Sequence, residues 1–521
     1  MNNKLALFLA ASSVPLCLFS QNPTVKRPNI LIFETDDMTF TSLGVTGCTI
    51  EGISPNLDKL AKEGLLITRG YNTTALCGPS RNSLFTGMHP MTNGYLGHGP
   101  QPPLWWENEF QQRKPIGLTQ YLREIGYYTA LVCKNASRQD VFDFTDPSSF
   151  VAGGRDPKKF GEVTSMIVKN ARKANKPFLA YINSRGPHLY WPRTKQETLD
   201  WAKDQVGPKK NIESRKLYPN GLYWPDPLVK YAPEEAMVMP AHPDEPALRE
   251  EIRHYYDAVN RMDQAFGEVM NAMKREGVSE DLLIIFLSDN GIELPWAKRS
   301  IYDLGTRTPI IIRWKGHVKP KQVNDKSVVS TVDMVPTILD IVGVQPKVKP
   351  DGISFKCLLD GKNNDWKRKY AFCCFNFLNL SAENAKIATY NKHLYQNDRE
   401  FRPSRGLHDN KFSYVFHSWD ENAENTIEIT HGGPIIPPIL RDGKQNDLSY
   451  PNYKERYKTL IFPDREELYD NNNDPGCLHN LIDKPEFQAR KMRFREEMIK
   501  QMQDVNDFEL ENYKAYIISK P

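Results

Sequence analysis

The chain has 521 residues, of which 40% are hydrophobic and 25% are charged, and its formal net charge is +4. A globular chain of this length usually exceeds one hydrophobic core, so we expect two domains. So small a net charge does not indicate a nucleic-acid partner, and eight cysteines do not make a disulfide framework, although one or two bridges would fit an oxidising compartment.

The first residues have the pattern of a secretory signal peptide. Lys4 precedes an apolar run at residues 5–19, which ends in small and polar residues. This pattern predicts a signal peptide at residues 1–20, with a buried N-terminal helix as the alternative. No later segment is apolar enough to cross a bilayer. We therefore expect a secreted or periplasmic protein, lysosomal in a eukaryote, without a transmembrane segment.

Strand and helix patterns alternate between residues 27 and 345. Residues 29–33 form a compact apolar run typical of a buried strand. Ser54 and Pro55 predict a helix, with the serine as its cap and the proline in its first turn. Further strands are predicted at residues 127–132, 178–182, 282–287 and 310–312, and further helices at residues 118–125 and 247–275. This alternation predicts an α/β fold, in which helices cover both faces of a sheet.

Two later parts of the sequence lack the regular alternation of strands and helices. Residues 186–245 are rich in Pro, Trp, Tyr and charge without periodicity, and we interpret them as a lid or wall over a substrate. Later runs are short and interrupted, as at residues 370–375 and 392–395, and a charged helix is predicted at residues 485–505. We assign residues 22–365 to an N-terminal catalytic domain and residues 366–521 to a smaller subdomain with an antiparallel sheet.

The segment that begins at Cys77 carries the strongest chemical signal. It reads Cys-Gly-Pro-Ser-Arg-Asn-Ser-Leu-Phe-Thr-Gly, in which Pro79 suits the first turn of a helix and Gly87 its end. Cys77 is therefore expected at a helix N-terminus, where free N–H groups and the helix dipole favour an anion. Arg81 follows one turn later. Taken alone, the pattern indicates a reactive thiol with a lowered pKa.

Two acidic clusters follow predicted strands on either side of this motif. The first strand runs into Asp36 and Asp37, and the strand at residues 282–287 runs into Asp289 and Asn290. Open α/β sheets bind ligands at the carboxyl ends of their strands, and such oxygen ligands suit calcium or magnesium. Each cluster alone is also typical of a helix cap or a turn. Together they predict a metal site made of these four residues.

The motif at Cys77, read through to Gly87, resembles the type I sulfatase signature, Cys-x-Pro-Ser-Arg followed by Thr-Gly. The resemblance implies an alkaline-phosphatase-like fold with a large mixed sheet flanked by helices. It also implies that a formylglycine-generating enzyme oxidises Cys77 to formylglycine, whose hydrated aldehyde offers one hydroxyl as the nucleophile. In that family the modified residue and the acidic cluster hold the calcium ion, with magnesium as the alternative, and Arg81 belongs to the same site.

The segment that contains Lys134 follows the strand at residues 127–132 and matches the family pattern only in part. Sulfatases have Gly-Lys-x-His at this place, and the resemblance implies that Lys134 contacts sulfate. Ala136 stands where the histidine is expected. The base that assists the nucleophile is then missing, unless His98 or another residue supplies it, and a general base contributes about 10²- to 10⁴-fold.

Two residues match the family's groups near the leaving atom. His188 lies just after the strand at residues 178–182 and matches the histidine that contacts sulfate and can protonate the leaving atom. Lys298 matches the basic residue near the bridging oxygen or nitrogen. Arg299 is the less favoured occupant of that place, because adjacent side chains usually point apart.

The resemblance covers nearly the whole mature chain, and the nearest subgroup is N-sulfoglucosamine sulfohydrolase, or heparan N-sulfatase. It implies a sulfated oligosaccharide or polysaccharide substrate with N-linked sulfate on a terminal glucosamine. Gly186 departs from that subgroup, which has Asp before Pro-His, and substrate loops diverge readily. The alternatives are an O-sulfatase for another polysaccharide, a phosphodiesterase or phosphonate hydrolase of the same superfamily, and a non-catalytic glycan binder.

Overall fold

The computed structural model describes residues 27–97, 114–134, 144–149, 154–188, 191, 228–376, 402–419, 456, 458–460 and 462–520. Several predictions fall outside these residues, namely the signal peptide at 1–20, most of the lid at 186–245, the strand at 392–395, His98 and Ala136.

A mixed sheet forms the centre of the molecule. Its strands are β1 (Asn29–Asp36), β2 (Leu65–Tyr71), β3 (Tyr128–Val132), β4 (Asp146–Ser149), β5 (Phe178–Pro187), β6 (Leu282–Ser288), β7 (Arg307–Trp314), β8 (Gln322–Asn324) and β9 (Val329–Ser330). Within the described ranges they run in the order β4-β3-β5-β1-β6-β7-β2-β8, with β9 beside β2. The sheet is mixed because β7 is antiparallel to both of its neighbours.

The strand directions bring several carboxyl ends to one edge of the sheet. β1 pairs in parallel with β5 and β6, and β3 pairs in parallel with β5. β2 runs in the same direction as β6, because the antiparallel β7 lies between them. The segments that follow β1, β2, β3, β5 and β6 therefore meet at this edge, where open α/β sheets bind their ligands.

Helices cover both faces of the sheet. They are α1 (Pro55–Lys62), α2 (Cys77–Thr86), α3 (Pro90–Asn93), α4 (Leu118–Glu124), α5 (Pro157–Lys173), α6 (Pro246–Arg275), α7 (Asp303–Thr306), α8 (Met334–Val342), α9 (Lys356–Leu359), α10 (Gln488–Asp504) and α11 (Leu510–Ser519). Successive side chains of β1 enter opposite layers: Phe33 packs against Phe160 of α5 and Phe266 of α6, whereas Ile32 joins the core that contains Leu84 of α2. The predicted α/β class is confirmed.

A second, antiparallel sheet lies in the last third of the chain. It contains β10 (Ala371–Phe375), β11 (Ser404–His408), β12 (Phe412–His417) and β13 (Glu466–Asp470). Phe494 and Met498 of α10 and Tyr513 of α11 cover it in a core of its own. The predicted smaller antiparallel sheet is confirmed, whereas the boundary at residue 365 stays a prediction.

Two local predictions differ from the structure. β1 and β6 extend past their apolar runs to Asp36 and Ser288, because buried partners satisfy the polar side chains at the sheet edge. Ser54 occupies the cap position of α1 but makes no capping bond; its hydroxyl donates instead to Asp58 Oδ1 at 2.9 Å.

The described residues also bear on membrane insertion and on the cysteines. Among them, no helix combines the length and the apolar composition that a bilayer-spanning helix needs. The seven cysteines in the described ranges are all free thiols, so the one or two disulfides considered from the sequence are not formed there.

Candidate active site

Helix α2 presents Cys77 at the ligand-binding edge of the sheet. The chain leaves β2 at Tyr71 and enters α2 at Cys77, and the helix ends at Gly87, which adopts the left-handed conformation at φ 68°. The predicted helix is therefore present, with Cys77 in its first turn. Burial raises the pKa of the Cys77 thiol, which is 7% exposed. The prediction of a thiol with a lowered pKa was therefore wrong: desolvation outweighs the nearby lysines.

The predicted metal ligands converge above this helix. Asp36 ends β1, and the chain then turns at Asp37, whose φ is 65°. Asp289 and Asn290 follow β6, the parallel neighbour of β1. The Asp37 backbone N–H donates to Asp289 Oδ1 at 3.1 Å, and Asn290 Nδ2 donates to Asp37 Oδ1 at 2.8 Å. All four residues are at most 1% exposed, so the two clusters form one buried site.

The donor set fits a hard divalent cation. Ligand atoms of Asp36, Cys77 and Asp289 all lie within 4.8 Å of one another, and so do those of Asp36, Asp37 and His188. Asn290 Oδ1 is buried and accepts no hydrogen bond from any described residue. Burial raises the pKa values of Asp37 and Asp289 to about 7, as expected for carboxylates whose negative charge lacks full compensation. An oxygen-coordinated ion such as calcium or magnesium would supply that compensation.

Two lysines reach this site from different elements. Lys134 Nζ, just after β3, donates to both carboxylate oxygens of Asp36 at 2.7 and 2.6 Å. Lys298 Nζ donates to Asp37 Oδ2 at 2.7 Å and is 4% exposed. Burial alone would raise the pKa of Asp36, but the neighbouring cations, chiefly Lys134, hold it well below its usual range. Both lysines keep their positive charge, because the carboxylates raise their pKa values despite desolvation.

His188 lies at the open side of the same cluster. Its Nε2 is 3.6 Å from Asp37 Oδ2, and its side chain is 32% exposed. Desolvation, followed by repulsion from Lys298, lowers its pKa below the usual histidine value. The ring is therefore neutral at pH 7.

Arg81 is turned toward carboxylates beneath the site. Its guanidinium donates to Asp289 at 2.7 and 3.0 Å and to Glu34 at 2.6 Å, and it also contacts Tyr181 and Asn183. Arg81 is fully buried, and these carboxylates keep it charged by raising its pKa against desolvation. Arg81 therefore positions Asp289, one of the predicted metal ligands. The sequence prediction missed Glu34; a carboxylate inside an apolar strand was the available signal.

Glu293 is a second residue that the sequence prediction missed. Its carboxylate is 4% exposed and lies 2.5 Å from Lys298 Nζ, and it also pairs with Arg299. These two cations hold the pKa of Glu293 below its usual range although burial opposes them. Contrary to the expectation that adjacent side chains point apart, Lys298 and Arg299 both reach the Glu293 carboxylate, and Arg299 has φ 65°. Lys298 also contacts Asp37.

The charges of the site are nearly balanced. Two groups of ion pairs join five carboxylates to four cationic side chains: Glu34, Asp36 and Asp289 with Arg81 and Lys134, and Asp37 and Glu293 with Lys298 and Arg299. A divalent cation would change the small negative excess into a positive one. The site could then bind an anion with tetrahedral oxygens between the helix N-terminus and the two lysines.

Comparisons with known proteins agree with this architecture. A sequence profile of the sulfatase family matches residues 28–344, and one of the N-sulphoglucosamine sulphohydrolase C-terminal region matches residues 293–417. The chain is 26% identical to an ulvan-active sulfatase of Formosa agariphila over 92% of this chain and 76% of that protein. It is 25% identical to the human N-sulphoglucosamine sulphohydrolase over 92% of this chain and 91% of that protein.

The solved structures agree at the level of the fold. A 2-O GAG sulfatase superposes with a TM-score of 0.62 at 18% identity, over 92% of this chain and 93% of that one. The family profile covers more than half of the sequence and includes every residue of the site described above. The chain therefore belongs to the sulfatase family, a family of hydrolases.

Proposed function

We propose that this protein releases sulfate from a sulfated glycan, with formylglycine at position 77 as the nucleophile and a calcium ion in the acidic cluster. The observation that carries the proposal is the convergence of Cys77, Asp36 and Asp289, whose ligand atoms lie within 4.8 Å of one another. A nucleophile and a hard cation at one helix N-terminus suit an anion that carries developing negative charge.

Asp36, Asp37, Asp289 and Asn290 would hold the ion, together with the modified side chain at position 77. Calcium fits their oxygen donors, and magnesium is the alternative. When bound, the ion would act as a Lewis acid toward a sulfate oxygen. Arg81 would keep Asp289 in position through its two hydrogen bonds at 2.7 and 3.0 Å.

The remaining polar side chains would bind and orient the sulfate. Lys134 and Lys298 are charged and pair with different carboxylates, Asp36 and Asp37, so each would face a different sulfate oxygen or the bridging atom. His188 is neutral and partly exposed, so it would donate a hydrogen bond to the sulfate or to the leaving group.

The substrate is proposed to be a glycan of the N-sulfoglucosamine type. Support comes from the human N-sulphoglucosamine sulphohydrolase, which aligns over 91% of its length, and from the matching C-terminal region. An O-sulfated glycan is the second candidate, because the chain is also 25% identical to an N-acetylglucosamine-6-O-sulfatase of Bacteroides thetaiotaomicron over 70% of this chain. Secretion directed by residues 1–20 stays part of the proposal.

The test is sulfate release from a panel of N- and O-sulfated oligosaccharides by protein produced with a formylglycine-generating enzyme. Mass analysis of the peptide that contains position 77 must first establish the conversion. We expect release from at least one N-sulfated glucosamine, and no release by Cys77→Ala protein of unchanged melting temperature. Turnover by Cys77→Ala, or an unmodified cysteine in active protein, would contradict the proposed chemistry.

The same panel separates the other reaction classes. Faster cleavage of an aryl phosphodiester or phosphonate than of the matching aryl sulfate would indicate a phosphodiesterase or phosphonate hydrolase. Binding of sulfated glycans without sulfate release, in protein of confirmed formylglycine content, would indicate a glycan binder.

A further inference from the structure

A large cleft lies at the opposite end of α2 from Cys77. Its volume is about 690 Å³, and its walls are residues 349–353, residues 367–370 and the end of α10 at residues 497–505. α2 has ten residues, so the cleft is about 15 Å or more from Cys77. None of its lining residues belongs to the ion-paired site of the preceding sections.

Several cations of the cleft lack a partner of opposite charge. Lys349, Lys367 and Lys369 are exposed and make no ion pair with any residue in the described ranges. In contrast, Lys500 lies 3.7 Å from Glu497, and Arg368 lies 2.7 Å from Asp333. Three lysines of the cleft wall therefore carry positive charges that are not paired with any described carboxylate.

The same cleft also contains hydrogen-bond acceptors. Asp351, Glu497 and Asp504 contribute carboxylates, and Gln501 contributes an amide. His89 lines the cleft at 2% exposure, and its Nδ1 has no hydrogen-bond partner within the described part of the chain. A ligand that satisfies this lining must offer negative charge to the lysines and hydroxyl donors to the carboxylates.

We propose that this cleft is a second binding site for a sulfated oligosaccharide segment, separate from the site at Cys77. This inference rests on the proposed function, since it assigns the same class of polymer to a second surface. A sulfated sugar carries both anionic groups and hydroxyl donors. A polyphosphate carries charge without hydroxyl donors, and the cleft carboxylates would repel it; a neutral sugar would leave the three lysines without a partner.

A second site would favour long substrates over short ones. A chain that occupies the cleft raises the effective concentration of its other segments near the protein, so its apparent affinity exceeds that of a short fragment. The segment between the two sites need not contact the protein continuously.

The test is isothermal titration of a heparin octasaccharide into the full-length Cys77→Ala protein, in which no turnover occurs. The cleft variant adds Lys349→Ala, Lys367→Ala and Lys369→Ala. The matched control adds Lys173→Ala, Lys274→Ala and Lys326→Ala, which removes the same charge from exposed positions outside the cleft. We expect the cleft variant to bind about tenfold more weakly than the control and to lose one class of sites.

The outcomes separate this inference from the proposed function. Equal dissociation constants for the cleft variant and the control would overturn the second site, and so would equally tight binding of a polyphosphate of matched charge. A weaker cleft variant supports the site even if the active enzyme releases no sulfate from any glycan, because the titration does not depend on turnover. Melting temperatures within about 2 °C of one another establish that all variants are folded.

Discussion

Asp289 combines two functions in one side chain. It is proposed as a metal ligand, and it accepts two hydrogen bonds from the buried guanidinium of Arg81. Its removal would therefore affect both the ion and the packing beneath it, since a buried charge that loses its partner costs about 3–5 kcal/mol. Substitution of Asp289 should therefore lower both the stability and the activity of the protein.

We expect Asp289→Ala to lower the free energy of unfolding by about 3–5 kcal/mol and to leave less than about 1% of the activity. Urea denaturation and sulfate release measure the two effects. Asp244→Ala is the matched control, because Asp244 also pairs with an arginine, Arg249 at 2.5 Å, but is 59% exposed. Exposed pairs contribute at most about 1 kcal/mol. Equal destabilisation by the two substitutions would contradict the buried network.

Lys298 Nζ pairs with two carboxylates, Glu293 at 2.5 Å and Asp37 at 2.7 Å. Without the Glu293 charge, Lys298 would pair with Asp37 alone, and the proposed ion would compete with the lysine for that carboxylate. We expect Glu293→Gln to lower kcat by about 10- to 100-fold with a smaller change in KM, because the positive charge of Lys298 would be misplaced in the transition state. Steady-state kinetics provides the measurement. Glu280→Gln, which breaks the exposed pair with Lys315, should leave kcat within about twofold.

The elements that carry the site were largely predictable, whereas its ion-pair network was not. The apolar run at residues 29–33 and the Pro79 and Gly87 signals identify β1 and α2, because burial and backbone geometry act locally. The burial of Glu34 depends on Arg81, 47 residues away, and such a partner has no local signal. Sequence patterns thus locate the candidate ligands at strand ends but not the residues that hold those candidates in place.

Helix α3 connects the two sheets through His89 at its N-terminus. The ring packs against Phe372 of β10 at 5.4 Å, and the His89 backbone N–H donates to Asp351 at 2.9 Å. Burial, with a smaller contribution from Arg368, lowers the pKa of His89 to about 3. In the unfolded chain His89 takes up a proton near pH 6.5, whereas in the folded chain it stays neutral down to about pH 3.

The sign of this linkage predicts a loss of stability in acid. Between pH 7 and pH 5 His89 should contribute about 2 kcal/mol of destabilisation, because only the unfolded state takes up the proton. Carboxyl groups elsewhere in the protein titrate in the same pH range. The contribution of His89 is therefore isolated by comparison with His89→Phe, which keeps an aromatic ring against Phe372. Denaturation curves at both pH values should show that the variant loses about 2 kcal/mol less than the parent. An identical pH dependence would contradict a neutral buried ring.

At the scale of the whole molecule, the central sheet and the proposed ion depend on each other. The acidic cluster draws its ligands from the ends of two neighbouring strands, β1 and β6, while Cys77 comes from the helix after β2. An ion held there would join distant parts of the chain and reduce repulsion between carboxylates. Such an ion stabilises the folded state by about 4 kcal/mol when its concentration is a thousandfold above its dissociation constant.

Chelation should therefore lower the melting temperature by about 5 °C as well as abolish sulfate release. Scanning calorimetry before and after treatment with EDTA measures the shift, and added calcium should restore both properties, with magnesium less effective because it prefers a rigid octahedral site. Asp289→Ala protein serves as the control, since its melting temperature should respond to neither chelator nor calcium. Restoration by zinc alone would contradict the proposed site, because its proposed protein ligands are hard oxygen atoms and the nearby His188 faces Asp37.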